Sequence, residues 1–192
     1  MYKLLGILCI FLFVQEEETI TWTKTQKLHW GNFKDEPDYN SDAVAITASG
    51  LTYGFSSKTY SNSDKIEYST SVIAQFYPNQ SWYLKERVND TVLGHEQLHF
   101  DITELHSRKL RKRFKNAKFT KNIQQELSKI YDEVNEELQE MQNAYDEGSD
   151  YSRNYEGQIK WQKLVARELK KYRQYKQPCL LYTSPSPRDK RQ

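Results

Sequence analysis

The sequence predicts an α+β fold, a small N-terminal antiparallel sheet followed by three helices. Three observations carry this. Residues 43–77 crowd β-branched and aromatic side chains with stretches of period-two alternation. From residue 89 onward apolar residues recur instead at three- and four-residue steps, the signature of helices with one buried face. The strands precede the helices in a chain of 192 residues, a length that suits one domain with a core of its own.

The β half starts with the short aromatic segment Leu28-His-Trp-Gly-Asn-Phe33. Two longer strands follow, Ala43 to Tyr53 and Lys65 to Tyr77; in the second, Ile66, Tyr68, Thr70 and Val72 line one face. Between them, Gly54 to Asp64 is rich in Ser, Asn and Lys and reads as a loop or hairpin. The first helix begins at Asn89 or Asp90, whose side chains accept bonds from orphan first-turn N–H groups, and runs to about Asn116. The second covers about Thr120 to Glu147, with Ile123, Leu127, Ile130, Val134, Leu138, Met141 and Tyr145 on one face. Gly148-Ser149-Asp150 breaks the chain. A third helix follows from about Tyr155 to Tyr172, with Trp161, Leu164, Val165, Leu169 and Tyr172 on one side.

The ends read differently from the middle. Lys3 and the apolar run Leu4 to Val14, closed by Gln15-Glu16-Glu17-Glu18, have the form of a secretory signal over residues 1–15 and are too short to span a bilayer. Residues 177–192, with Cys179-Leu-Leu-Tyr-Thr-Ser-Pro-Ser-Pro-Arg-Asp189, resemble a translated adaptor and read as a tail that is not native. The folded domain is therefore expected over residues 16–176. Removal of the signal takes away Cys9, leaving Cys179 as the last cysteine and no internal disulfide. The formal charge of +2 is a property of the ends: Lys3 and the four residues 188–191 contribute +3, so the remainder carries about −1. The basic run Lys109 to Lys121, with seven Lys or Arg, is expected to be a solvated face partly paired with Asp132-Glu133 and Glu136-Glu137; no nucleic-acid partner is expected.

The chemistry concentrates in His95-Glu96-Gln97-Leu98-His99. Four residues on a helix separate two side chains by about 40° in azimuth and one turn in height. Both imidazoles can therefore offer a nitrogen to one Zn2+ at about 2.0–2.1 Å. Glu96, offset to the side, can take a proton from a zinc-activated water as general base. His106 lies about 10.5 Å further along the axis and cannot join the pair; it reads, like Asp101 and Glu104, as a helix-surface or supporting residue. A catalytic zinc has a third protein ligand, and the polar turn from Tyr145 to Asn154 is its natural supplier: Asp146, Asp150 and Tyr151 can all bind.

Leu93-Gly-His-Glu-Gln-Leu-His-Phe-Asp-Ile-Thr-Glu-Leu-His-Ser-Arg-Lys-Leu110 resembles the active-helix segment of the bacterial domain of unknown function 922. The likeness extends to Lys27-Leu-His-Trp-Gly-Asn-Phe33, Ala45-Ile-Thr-Ala-Ser-Gly-Leu-Thr-Tyr53, Ser81-Trp82, and Tyr145-Asp146 with Gln158 and Trp161. The resemblance implies a zincin-like, secreted zinc-dependent protease. Where the family pattern carries Thr-x-His-Gly, this chain has Ser149-Asp150-Tyr151-Ser152, which puts Tyr151 in the place of a third ligand. The sequence thus points to a secreted or periplasmic zinc metallopeptidase with a peptide or protein substrate, His95, His99 and Tyr151 as metal ligands and Glu96 as base. The competing readings are a non-catalytic metal-binding or interaction protein of the envelope, and a zinc amidase acting on cell-wall peptides.

Overall fold

Asn89 starts the central helix: its side chain accepts from the backbone N–H of Thr91 (2.8 Å) and Val92 (3.1 Å), satisfying two donors that have no partner within the helix. A computed structural model describes residues 17–60 and 63–176. The expected signal at 1–15, the tail at 177–192 and both cysteines lie outside the described residues. In chain order the elements are β1 (Ile20–Thr21), a 3-10 turn (Trp30–Asn32), β2 (Ala45–Ile46), β3 (Ser49–Tyr60), β4 (Ser63–Phe76), a second 3-10 turn (Pro78–Gln80), β5 (Trp82–Tyr83), α1 (Asp90–Asn116), α2 (Ile123–Ser149), α3 (Tyr155–Lys171) and a last 3-10 turn (Arg173–Tyr175). The architecture is α+β, with small antiparallel sheets and three helices.

One sheet has the order β1-β4-β3, and β2 pairs with β5 in a second. Two sequence expectations change here. Leu28 to Phe33 contains a 3-10 turn instead of a strand, because Asn32 Oδ1 turns back to accept from the His29 N–H at 2.9 Å. Gly54 to Asp64, read as loop or hairpin, belongs to a hairpin longer than its composition suggests: β3 continues to Tyr60 in register with β4, so that Phe55 faces Thr70 and Lys58 faces Glu67. Cross-strand backbone bonds hold this ribbon whatever its side chains, and a polar composition therefore did not prevent it.

The core lies where α1 is enclosed by the sheet, α2 and α3. Phe114, Leu110, Ile102, Leu127, Val134, Leu138, Tyr145 and Val165 form its larger cluster with Leu51 and Val72 from the hairpin. Leu28, Phe33, Ala74, Phe76 and Phe100 form a second cluster toward the N-terminal arm. Because α1 is covered on several sides, it buries polar groups as well: His106, Ser107, Thr103 and Glu104 are all inside. Buried carboxylates need partners. Glu104 accepts from Arg108 Nε (2.7 Å), Ser107 Oγ (2.5 Å) and both Arg111 terminal nitrogens (3.4 Å each). The arginines then reach outward, Arg108 to the Leu169 carbonyl at the end of α3 and Arg111 to the carbonyls of Val72 and Tyr175.

Helix α2 runs through Gly148 and ends at Ser149, capped by Asp150, two residues beyond the expected Glu147. The glycine serves an approach and not a break. A Cβ on Gly148 would lie 2.4 Å from Trp161 Nε1, and one on Gly157 would lie 2.2 Å from the Gly148 carbonyl. Two missing side chains thus let the start of α3 rest on the end of α2. The turn between them places Asp150, Tyr151 and Ser152 in succession at φ of 46°, 50° and 72°, a left-handed stretch that costs a non-glycine residue about 1–2 kcal/mol each.

Candidate metal centre

His95 and His99 project from one face of α1, as their spacing requires, and meet α2 rather than solvent. Their rings stand at 81° to one another with centroids 4.7 Å apart. Tyr145 of α2 forms the wall behind them, stacked on His95 at 4.5 Å and edge-on to His99 at 5.0 Å. Trp161 of α3 in turn packs on Tyr145 at 5.6 Å. One residue beyond Tyr145, Asp146 brings Oδ1 to 3.1 Å from His95 Nε2 and 3.0 Å from His99 Nε2, while the two Nε2 atoms are 3.1 Å apart.

Three donor atoms therefore converge on one point. An ion held about 2.0–2.1 Å from each of three ligands needs them roughly 2.9–3.4 Å from one another for angles between about 90° and 110°. The observed separations fall within that span, and two imidazoles with a carboxylate are a donor set that zinc accepts. Solvent reaches the group from its Asp146 side, where that side chain keeps 27% of its exposure against 6% for His95.

Glu96 is 4% exposed, and the Thr47 hydroxyl donates to its backbone carbonyl at 3.4 Å, tying the segment just after β2 to the histidine helix. Electrostatics bind the group together. Burial alone would lower the proton affinity of His99; the bond to Asp146, the charges of Glu96 and Asp146 and the bond to Gln142 outweigh it and raise it. Burial pulls Asp146 upward, but the two imidazoles 3.0–3.1 Å from it hold its carboxyl well below the usual carboxylate range. The Tyr145 hydroxyl is pushed far up by burial and by Glu96 and Asp146, so it stays protonated.

The other candidate residues stand as follows. Tyr151 stands in the left-handed turn, 60% exposed, with the Arg153 guanidinium 5.9 Å above its ring, while Asp146 is the residue of that segment grouped with the histidines. Asp146, the alternative from the same segment, faces the histidines because the helix continues past it; Asp150 is exposed and pairs with Arg153 at 2.7 Å. His106 and Glu104 are not helix-surface groups. His106 is fully buried, with Nδ1 donating to the Ile102 carbonyl (2.9 Å) and Nε2 accepting from Lys109 Nζ (2.9 Å). Burial, then the Lys109 charge, lowers its pKa to about 4.

Supporting contacts come from residues that the sequence left unassigned. Gln142 Oε1 meets His99 Nδ1, and Ser149 Oγ lies 3.4 Å from His95 Nδ1. Asp101, read as a possible support for the histidines, instead accepts from Trp22 Nε1 at 2.7 Å and Gln97 Nε2 at 2.9 Å. The signal that could have found Gln142 and Ser149 is their spacing: 142, 145, 146 and 149 are one face of a helix. The basic run pairs as expected, Arg113 with Glu137 and with Glu133 at 3.5 Å, and Lys109 with Glu137 at 3.9 Å.

Fold and site together define an α+β protein with a two-histidine, one-carboxylate group on facing helices, a glutamate beside it. Residues 76–152, which contain all of that group, match the family described as bacterial protein of unknown function (DUF922). No curated protein and no solved structure matches the chain. Among the described residues, no helix is long and apolar enough to cross a membrane.

Proposed function

We propose that this chain is an exported zinc-dependent peptidase of zincin-like character, with His95, His99 and Asp146 holding the metal and Glu96 as general base. The observation that supports it most is the convergence of Nε2, Nε2 and Oδ1 within 3.1 Å of one another, directly beside a buried glutamate. Zinc, when bound there, supplies a water of lowered pKa and polarises the substrate carbonyl. Glu96 takes the proton of that water on its carboxylate and can deliver it to the departing amine. Tyr145, stacked on His95, closes the inner side of the centre against solvent and keeps the imidazoles from turning. The more exposed Asp146 side leaves room for a peptide to approach.

The test is Glu96→Gln in the mature protein. Zinc content should stay at the wild-type level while cleavage of a peptide library falls by at least the 10²-fold typical of a lost general base. Cleavage at the wild-type rate would sink the assignment. A second reading, a metal-binding protein that does not hydrolyse, is favoured by the burial of Glu96 itself; it predicts zinc uptake and no cleavage in either protein.

A further inference from the structure

We propose that Gln142 is a positioning residue that places the single proton of a neutral His99 on Nδ1, so that the Nε2 lone pair is left facing Asp146 and His95. The inference concerns the same two histidines as the zinc reading and follows from where the surrounding hydrogens must go.

The carboxamide of Gln142 is held from both ends. Its Nε2 donates to the His99 carbonyl at 3.1 Å and lies 3.4 Å from Thr103 Oγ1. Thr103 spends its own hydroxyl proton on the same His99 carbonyl, at 3.1 Å. Toward Gln142 it therefore offers only a lone pair, and Ser49 Oγ, 2.8 Å away, supplies the proton between the two hydroxyls. Turning the amide over would set its oxygen against two acceptors. The oxygen consequently faces His99 Nδ1, and since an amide oxygen only accepts, Nδ1 is the donor. A neutral imidazole has one N–H, so Nε2 is bare.

His95 repeats the logic. Ser149 Oγ gives its proton to the Tyr145 carbonyl at 2.7 Å and presents a lone pair to His95 Nδ1. The outcome is three electron-pair donors pointed at one another at 3.0–3.1 Å, an arrangement that repels itself unless a cation sits among them. The chain Ser49–Thr103–Gln142 thus carries orientation from the first residue of β3, across α1, to the metal-facing nitrogen.

Ring-nitrogen chemical shifts of 15N-histidine-labelled, metal-free protein, recorded above the imidazole titration range, read the tautomer directly. The expected result is Nδ1–H for His99 in the wild type and a shift toward Nε2–H in Gln142→Leu. Zinc affinity by competition titration should fall roughly 10–100-fold in Gln142→Leu. Thr103→Val, nearly isosteric, should shift the tautomer in the same direction as Gln142→Leu if that variant fails to fold. An Nε2–H tautomer in the wild type, or identical tautomers in wild type, Gln142→Leu and Thr103→Val, overturns the proposal. Because the tautomer is read without metal, a wild type that takes up no zinc would end the peptidase reading and leave this result standing.

Discussion

His106 should make the protein acid-sensitive in a defined window. Its ring is fully buried and neutral, donating from Nδ1 to Ile102 and accepting at Nε2 from an ammonium, so that no place remains for a second proton. Burial first, then the Lys109 charge, moves its pKa from the ordinary 6.5 to about 4. As pH falls below about 6.5 the unfolded chain protonates this imidazole and the folded one does not. The unfolded state then binds more protons, and stability declines until the native group also titrates near 4. At about 1.4 kcal/mol per pH unit across that gap, the loss approaches 3 kcal/mol, a large share of the 5–15 kcal/mol typical of a domain. Urea unfolding from neutral pH to pH about 4, wild type against His106→Leu, measures it. The variant loses packing and polar contacts at all pH values but should lose this slope, so the two stability curves converge in acid. Parallel curves would refute the account of a neutral buried histidine.

Other consequences follow from the same contacts. Asp146→Ala should weaken zinc binding by more than the roughly 10–100-fold expected of a residue that only supports a ligand, while Tyr151→Phe leaves it unchanged; equilibrium dialysis against a zinc chelator separates them. Gly148→Ala forces a methyl into the Trp161 indole and should destabilise by about 1–3 kcal/mol, seen as a lowered urea midpoint with unchanged slope. Glu104→Gln leaves Arg108 and Arg111 buried without their carboxylate and should cost about 3–5 kcal/mol by the same measurement, more than any change at the exposed Asp150–Arg153 pair.

Much of this was legible in the residues, and the reasons for the gaps are physical. That His95 and His99 share a face follows from helix geometry alone, and Asn89 announced the start of α1 by being a good cap. The partner across the gap was harder. The segment Tyr145 to Asn154 was identifiable as the supplier of a carboxylate or phenol, but which side chain faces inward depends on how far α2 continues. Gly148 and Ser149 looked like a break, whereas Gly148 is there because Trp161 leaves no room for a side chain. That two-residue extension brings Ser149 onto the helix beside His95 and leaves Tyr151 in the turn, whereas Asp146 already lay within the expected helix. His106 and Glu104 were misplaced because a polar residue on a polar stretch reads as surface, and only tertiary enclosure by the sheet and α3 shows otherwise. The β3–β4 hairpin was underestimated for the opposite reason: its outer residues are loop-like in composition, and their backbone pairing is indifferent to that.

That outer ribbon has a consequence of its own. Among the described side chains beyond Tyr53 and Val72, Phe55 and Tyr68 each keep 38% of their exposure, and the Tyr68 ring meets Phe119 at 4.9 Å. A two-stranded ribbon with little buried beneath it is only marginally stable by itself. Amide hydrogens along Phe55–Lys58 and Tyr68–Thr70 should therefore exchange with solvent through local opening, far faster than those of α1, whose release requires the whole domain to unfold. The expected pattern is slow exchange around the histidines and faster exchange along the ribbon. A fluorescent label on that ribbon should then leave the fold around the histidines intact, and so offers a handle for following what the protein binds.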